Sequence, residues 1–578
     1  MRVRDLRYVI WVLLISTMGT TLIVNPWTSL DPINLPKMAL LVSSATLLVP
    51  SLLLNSRTIW LLDKKLIILT LLMLIGLCFS ILNSKMPISQ QIWGVWGRNT
   101  GVLTFFAFIT LLLSGFLISH ANEKQNLILW LQRTSYVVTI YSIFQIGQLD
   151  PIDWSQKATV ATLGNINFVS AFMGFANVTF IVSLMYKYLP LSARLNHLIF
   201  LSLNIFVISH SKSIQGLAIS AAGFVLVAFF KLLSLSKPKF AYCFLVSSLA
   251  VGIITFLGTM GLGPLGRFLM QDSVIFRIDY WLAGFEMFRS SPIFGLGMDS
   301  YGDFYREFRS EVAVSRTGPG RVSNTAHNVF LDWASGGGLI FLLPIVSLIA
   351  LCIYRNVKRM VREPGDYLSL SFLGVLCGWI IFLSISINQL GVAVWGFVFL
   401  GSALSRNFSQ SMNLSNAQKL SVKTKIYKKN RKNSSKSVHS EALKLRSLMG
   451  WLVSLGPKVI AGILGLAISL PPVYTDMSYL DSFKRRDLKG AEQFTSDLGT
   501  ASFHLEKLVS EYLTINDESA ALRTARVLVQ KFPRNFWGWS VIALNSGSSP
   551  AEKREAKRVL MSLDPKNVEA REALESIS

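Results

Sequence analysis

Apolar runs separated by brief polar interruptions dominate the chain. Stretches long enough to cross roughly 30 Å of hydrocarbon lie at 8–25, 38–55, 66–83, 101–119, 126–147, 167–187, 196–210, 214–231, 241–262, 338–354, 367–386, 388–404 and 451–472. The pattern predicts about thirteen membrane-spanning helices, the seventh and eighth of them short. Two polar stretches interrupt it. Residues 263–337 are too long for an ordinary connection, and after about residue 473 the chain turns polar with helical periodicity. The expected organisation is a membrane domain over 1–262, a large loop with short helices over 263–337, spans ten to twelve over 338–404, a basic linker over 405–450, a last span over 451–472 and a helical domain over 473–578.

Composition agrees with the pattern. With 51% hydrophobic and 15% charged residues and a mean hydropathy of +0.47, the chain is too apolar to bury its apolar surface in a water-soluble core. The expected class is an all-α polytopic membrane protein. A net charge of +24 would suit nucleic acid, but the cations sit in short runs beside the spans, where they set topology, so no nucleic-acid partner is expected. Starting with "MRVRDLR" inside, the even-numbered connections carry Arg57, Lys64 and Lys65, then Lys187 and Arg194, then Lys231, Lys237 and Lys239, then Arg355, Lys358, Arg359 and Arg362. The linker "LSVKTKIYKKNRKNSSKSVHSEALKLRS" is the most basic stretch. This alternation predicts a cytoplasmic N-terminus and an outer C-terminal domain. The first run resembles a secretory signal but lacks a small-residue cleavage site, so it is read as a retained span. Cys78, Cys243, Cys352 and Cys377 fall in spans and form no C-x-x-C pair, which indicates neither a disulfide framework nor a zinc site.

In the tail, "TARVLVQKFPRNFWGW" and "EAKRVLMSLDPKNVEA" echo each other, with Pro533 and Pro565 closing equivalent helices. Helical pairs of about 34 residues ending on P-x-N resemble tetratricopeptide repeats. A possible protein partner is therefore expected there. The bland alternative is a generic helical cap.

Polar groups that are costly near lipid gather on one face. Arg98 in "WGVWGRNTG", Asn165 and Asn167 in "TLGNINF", Lys212 and Gln215 in "SHSKSIQG", and the whole 263–337 segment all map to the outer side. In "SVIFRIDYWLAGFEMF", Arg277, Trp281, Phe285 and Phe288 follow helical spacing, which places the arginine at the end of an aromatic stripe. "SRTGPGRVSNT" is a basic loop with Arg316 and Arg321 leading to His327 and Asn328. Ser323, Asn324 or Thr325 can each cap the next helix. His327 is then expected in its first turn, where the helix dipole keeps the imidazole neutral. A neutral imidazole among arginines suits deprotonation of a hydroxyl beside an anionic leaving group. Against this stand plainer readings: His327 as a capping residue, Arg277 as an interfacial snorkel, and Asn165 and Asn167 as helix caps. No D-x-D pair lies in the long outer segment, and the nearest acidic pair is Asp150 with Asp153 in "LDPIDW". Neither a metal site nor a cofactor is expected.

The run "RIDYWLAGFEMFRSSPIFGLGMDSYGDF", followed by "AHNVFLDWASGGGLIFLL", resembles the signature of the O-antigen ligase and polymerase family of bacterial envelope glycosyltransferases. "DPINLPK", "TLGNINF" and "VYTDMSYLDSF" are also similar to that family, and the resemblance spans most of residues 1–480. It implies a C-type glycosyltransferase architecture in the bacterial inner membrane. It further implies a glycan donor on undecaprenyl pyrophosphate, and metal-independent inverting transfer on the outer face to a glycan, lipid or protein acceptor. On that resemblance Arg277 and His327 are the catalytic pair. Arg98, Arg316, Arg321 and Lys212 are implied to bind pyrophosphate, with Trp281, Asn328, Gln215, Asn165 and Asn167 in support. One departure stands out: where the family often carries S-R-G, this chain reads "SKSIQG", with Ile214 in the arginine's place. Lys212 or Gln215 is left as the substitute, and lysine lacks the bidentate fork that arginine offers a phosphate. The alternatives outside catalysis are a transporter of a small solute or lipid-linked glycan and an assembly scaffold acting through the tail.

Overall fold

The computed structural model describes residues 3–154, 158–186, 188–405 and 438–567, and all regular structure among them is helical. Ten of the described helices are long and apolar enough to cross a membrane. They include α2 (Asn34–Leu62), α3 (Lys64–Asn83), α6 (Ala121–Ile146), α7 (Ile166–Tyr186), α8 (Leu191–His210), α9 (Ile214–Ser234), α10 (Pro238–Thr259), α15 (Val329–Arg362) and α16 (Tyr367–Ile385), with the tenth in Leu455–Lys484. The other expected spans coincide with α1 (Val3–Leu22) and with the shorter apolar helices α5 (Val102–Phe116) and α17 (Leu390–Leu404). The seventh and eighth spans are fuller than their apolar runs suggested, at 20 and 21 residues. The basic linker 406–437 lies outside the described residues.

Helices α5 and α17 have 15 residues each, or about 22 Å at 1.5 Å per residue, less than the hydrocarbon thickness. They can be short because they form the centre of the bundle instead of facing lipid. Their crossing is set by small residues: a Cβ on Gly401 would stand 1.9 Å from the Leu112 carbonyl oxygen, and one on Gly115 2.6 Å from that of Val398. The Phe108 and Phe397 rings stack there at 4.6 Å. At the other extreme, Tyr242, Val246, Leu249, Val251 and Ile253 of α10 are all exposed, which is the pattern of a helix with lipid as its main neighbour.

"DPINLPK" is a double cap. The Asp31 carboxylate accepts the amides of Ile33, Asn34 and Leu35 at the start of α2. Lys37 is fully buried and donates to the carbonyls of Thr20, Thr21 and Ile23, each at 2.9 Å, at the end of α1. The orphan carbonyls ending α1 and the orphan amides starting α2 are thus served by two residues six apart.

The last long helix, α18 (Val438–Lys484), starts inside the expected linker and continues past the expected membrane boundary. Its internal prolines are tolerated because a freed carbonyl finds a side-chain donor: the Trp93 indole donates to Ile468, four residues before Pro472, at 2.9 Å. Beyond it the tail forms two helical hairpins, α20 (Ser502–Thr514) with α21 (Glu518–Lys531), and α22 (Phe536–Leu544) with α23 (Pro550–Leu563). A short helix, α19 (Leu488–Glu492), joins them to α18. "VYTDMSYLDSF" places the tail. Asp476 accepts the Ser29 hydroxyl at 2.6 Å, the Trp96 indole at 2.7 Å and the Leu30 amide at 2.6 Å, and lies 3.0 Å from His504 Nε2. One carboxylate therefore joins two loops at this end of the bundle to the tail.

Candidate functional site

Between α10 and α15 the chain covers one end of the bundle with α11 (Gly266–Leu269), α12 (Asp272–Ser290), α13 (Tyr301–Phe308) and α14 (Glu311–Thr317). The platform for the site is a break in α15. Gly338 adopts φ 62° and ψ −171°, a conformation open to glycine and forbidden to other residues. It divides the helix into 329–337 and 339–362. The bonds that a continuous helix would make there are exchanged with the loop 292–297. The Ser335 and Gly336 carbonyls accept from the Leu296 and Gly297 amides at 2.8 and 3.0 Å, while the Leu339 and Ile340 amides donate to Pro292 and Ile293 at 2.8 and 3.3 Å. "SPIFGLG" and "SGGGL" are thus two halves of one backbone junction. Ser80 of α3 adds to it, donating to Gly336 and accepting from the Met298 amide.

The junction presents Asp299, in the left-handed region at φ 58°. Its buried carboxylate accepts the Val95 and Thr100 amides at 2.8 and 3.2 Å and pairs with Arg98 at 2.9 Å. A short helix, α4 (Ile88–Trp93), leads into this loop. Arg98 also donates to the Asn324 carbonyl and so reaches the histidine loop directly. Asp299 had no catalytic signature in sequence; its role follows from two loops 200 residues apart meeting at the break.

His327 does not lie in the first turn. Asn328 is the helix cap, accepting the Phe330 and Leu331 amides at 3.1 and 3.2 Å, and this leaves His327 one residue outside the helix. Its φ is 51°, an unusual conformation for a residue with a Cβ, held by the His327 amide donating to the Thr325 hydroxyl at 2.8 Å and by the Ala326 amide donating to Asp332 at 2.8 Å. Asn328 is therefore a cap through its Oδ1. The ring stacks on Tyr280 with centroids 5.6 Å apart. Burial, and then the charges of Arg277 and Arg98, lower its pKa from 6.5 to about 4. The imidazole is thus held neutral, as expected from sequence, with burial and two guanidiniums as the causes.

Arg277 and Tyr280 are one turn apart on α12, which packs Asp279, Ala283, Gly284 and Met287 inward. Arg277 is half-buried, and no hydrogen bond or ion pair from its guanidinium occurs among the described residues. Its neighbours are otherwise committed. Arg316 pairs with Asp279 at 2.9 Å, and Arg321 lies over the Phe276 ring at 5.0 Å. Arg316 is thereby a brace for α12, and Arg321 stands at the rim. Trp281 is half-buried in the cluster of Met86, Ala283, Met287, Tyr301 and Tyr305.

The second expected polar group lies at the starts of α7 and α9. Asn165 caps α7 by accepting the Asn167 amide, and Asn167 accepts the Ser213 hydroxyl at 2.9 Å, joining α7 to α9. Lys212 is exposed at φ 56°, and Gln215 is buried behind it. For Asn165 and Asn167 these contacts are a helix cap and a helix-to-helix tie, the plainer of the two readings. Asp150 is likewise structural, held by Tyr141, Gln145 and the Ile152 amide. Conversely, the structure adds Asn388 and Trp333 to the site. With Arg98, Asp299, Tyr301 and Asp332 they line a cavity of about 20 Å³ below the Arg98 ion pair. No periodicity or motif singled out Asn388, since its connection to the site is purely spatial.

The tail braces the same loop. Asp564, 1% exposed, takes Arg309 at 2.6 Å and Arg306 at 3.1 Å. Arg309 in turn donates to the Arg321 and Pro319 carbonyls at 3.0 and 3.1 Å.

No curated protein matches the chain. Residues 197–346 match the family model described as O-Antigen ligase, a range that runs from α8 to just past the Gly338 break and contains both Arg277 and His327. The chain is accordingly a multi-pass membrane protein of glycan transfer that carries an O-antigen ligase domain.

Proposed function

We propose that the protein transfers a glycan from undecaprenyl pyrophosphate to an acceptor hydroxyl at the outer face of the bacterial inner membrane, with the C-terminal domain on that side. The observation that carries this reading is the convergence of an uncommitted, half-buried guanidinium, Arg277, with the neutral imidazole of His327. Arg277 binds the pyrophosphate with its fork, and Arg98, held by Asp299, adds a second positive charge. His327 takes the acceptor proton as the acceptor oxygen attacks the anomeric carbon. The bond from that carbon to the phosphate oxygen breaks in the same displacement, the configuration inverts, and lipid pyrophosphate leaves with the electron pair. The arginines stabilise the charge that grows on it, so no step calls for a metal.

The order of binding follows from electrostatics. An imidazole held near pKa 4 is a poor base, but the donor's negative charge offsets the two guanidiniums that hold it there. Donor binding thus raises the basicity of His327 as the reaction needs it. The tail's helical hairpins, clasped through Asp564, serve as a helical-repeat platform for a partner protein.

The test uses purified protein with a lipid-linked glycan and its acceptor. His327→Gln should lower turnover by roughly 10²–10⁴-fold while leaving donor binding intact. Transfer at the wild-type rate by that variant would overturn the assignment.

A further inference from the structure

At the end of the bundle that carries the Arg- and Lys-rich connections, α1 and α6 flank a groove of about 520 Å³ lined by Arg7, Ile10, Trp11, Leu14, Glu123, Asn126, Trp130 and Arg133. It lies at the opposite end from His327 and is independent of the function proposed above. Arg7, Trp11 and Leu14 share one face of α1, and Glu123, Asn126, Trp130 and Arg133 one face of α6, at helical spacing. Each helix thus offers a charged residue and an indole to the same space. Arg133 lies ten residues along α6 from Glu123, about 15 Å deeper, where an exposed charge meets lipid. Its guanidinium folds back over the Trp130 ring at 5.0 Å, towards the helix start, as helical side chains do. No carboxylate pairs with Arg7 or Arg133 among the described ion pairs. The groove's own carboxylate, Glu123, has one oxygen, Oε2, buried without a hydrogen-bond partner.

We propose that this groove binds a phospholipid with a primary-amine headgroup. Arg7 and Arg133 hold its phosphodiester, Glu123 Oε2 accepts from its ammonium, and Ile10, Leu14 and the indoles pack on its glycerol and upper acyl chain. The pairing gives the two guanidiniums a phosphate and gives Glu123, otherwise served only by His120, an ammonium. A headgroup without the ammonium would leave Glu123 facing a phosphate, and a choline headgroup has no N–H to donate to it.

Native mass spectrometry of the full-length protein in detergent, with dioleoyl phosphatidylethanolamine, phosphatidylglycerol or phosphatidylcholine added singly, tests this. The wild type should retain the ethanolamine lipid about tenfold or more over the choline lipid, the worth of one charge-assisted hydrogen bond. Glu123→Gln should erase that preference. Arg7→Gln with Arg133→Gln should weaken retention of all three lipids by roughly thirtyfold, from the worth of two cations beside lipid phosphate. Arg57→Gln, at the same end but outside the groove, should change nothing. Thermal unfolding of each variant without added lipid reports folding separately. Equal retention of the three lipids by the wild type, or the same loss from Arg57→Gln, would overturn the proposal.

Discussion

Replacing Arg277 by glutamine should raise the pKa of His327, by an amount that the structure bounds. The fall from 6.5 to about 4 is worth about 3.4 kcal/mol against protonation, at 1.36 kcal/mol per pH unit. Burial is the largest of its three causes, and the charges of Arg277 and Arg98 follow. The second of three causes cannot exceed half of the total. Arg277 therefore contributes at most about 1.7 kcal/mol, just over one pH unit, less whatever solvent screens at this partly exposed ring. The sign also sets a stability effect. The folded-state pKa is depressed, so the neutral ring's contribution is fully present above pH 6.5 and is lost as pH falls towards 4. The variant should lose less stability over that window than the wild type. Side-chain ¹⁵N NMR of His327 in nanodiscs, assigned by comparison with His327→Gln, measures the pKa without relying on turnover. Donor bound to the wild type should move it in the same upward direction. If the pKa does not rise in Arg277→Gln, or falls, the electrostatic coupling of these residues is wrong, and with it the donor-first order.

Asp564→Ala should cost about 3–5 kcal/mol, because it leaves the buried Arg309 and the partly buried Arg306 without their counter-charge. Limited proteolysis should show earlier cleavage around residues 317–323, and a pattern like the wild type's would mean that the tail does not brace the loop. Gly338→Ala should fail to accumulate as folded protein, since a Cβ there meets the Ile293 carbonyl oxygen at 2.2 Å and the left-handed φ adds roughly 1–3 kcal/mol. Gly320→Ala, with open space around it, is the matched control, and equal yields for the two would refute the role given to the break.

The apolar helices were legible because lipid imposes a one-dimensional rule: a helix that crosses it must be apolar over a fixed length, whatever surrounds it. For the same reason the 263–337 segment and the tail stood out as exceptions. His327 and Arg277 could be found from their sequence neighbourhood and its family resemblance, and the structure sets them in one electrostatic environment. Their expected partners fared differently. Arg316, Asn165 and Asn167 belong to the right face but are committed to Asp279, to a helix cap and to Ser213. Residue type and sidedness could not distinguish a free guanidinium from a paired one.

By itself, the order of apolar and polar residues determined that this chain is a helical membrane protein interrupted by two long polar segments, since burial in lipid is decided residue by residue along a helix. Only the tertiary structure decided which polar groups meet there. The Asp299 clamp on Arg98, the exchange of backbone bonds at Gly338 and the Asp564 clasp each join residues scores to hundreds of positions apart. Such pairings depend on where loops close over the bundle, a property of the packed helices that no local pattern encodes.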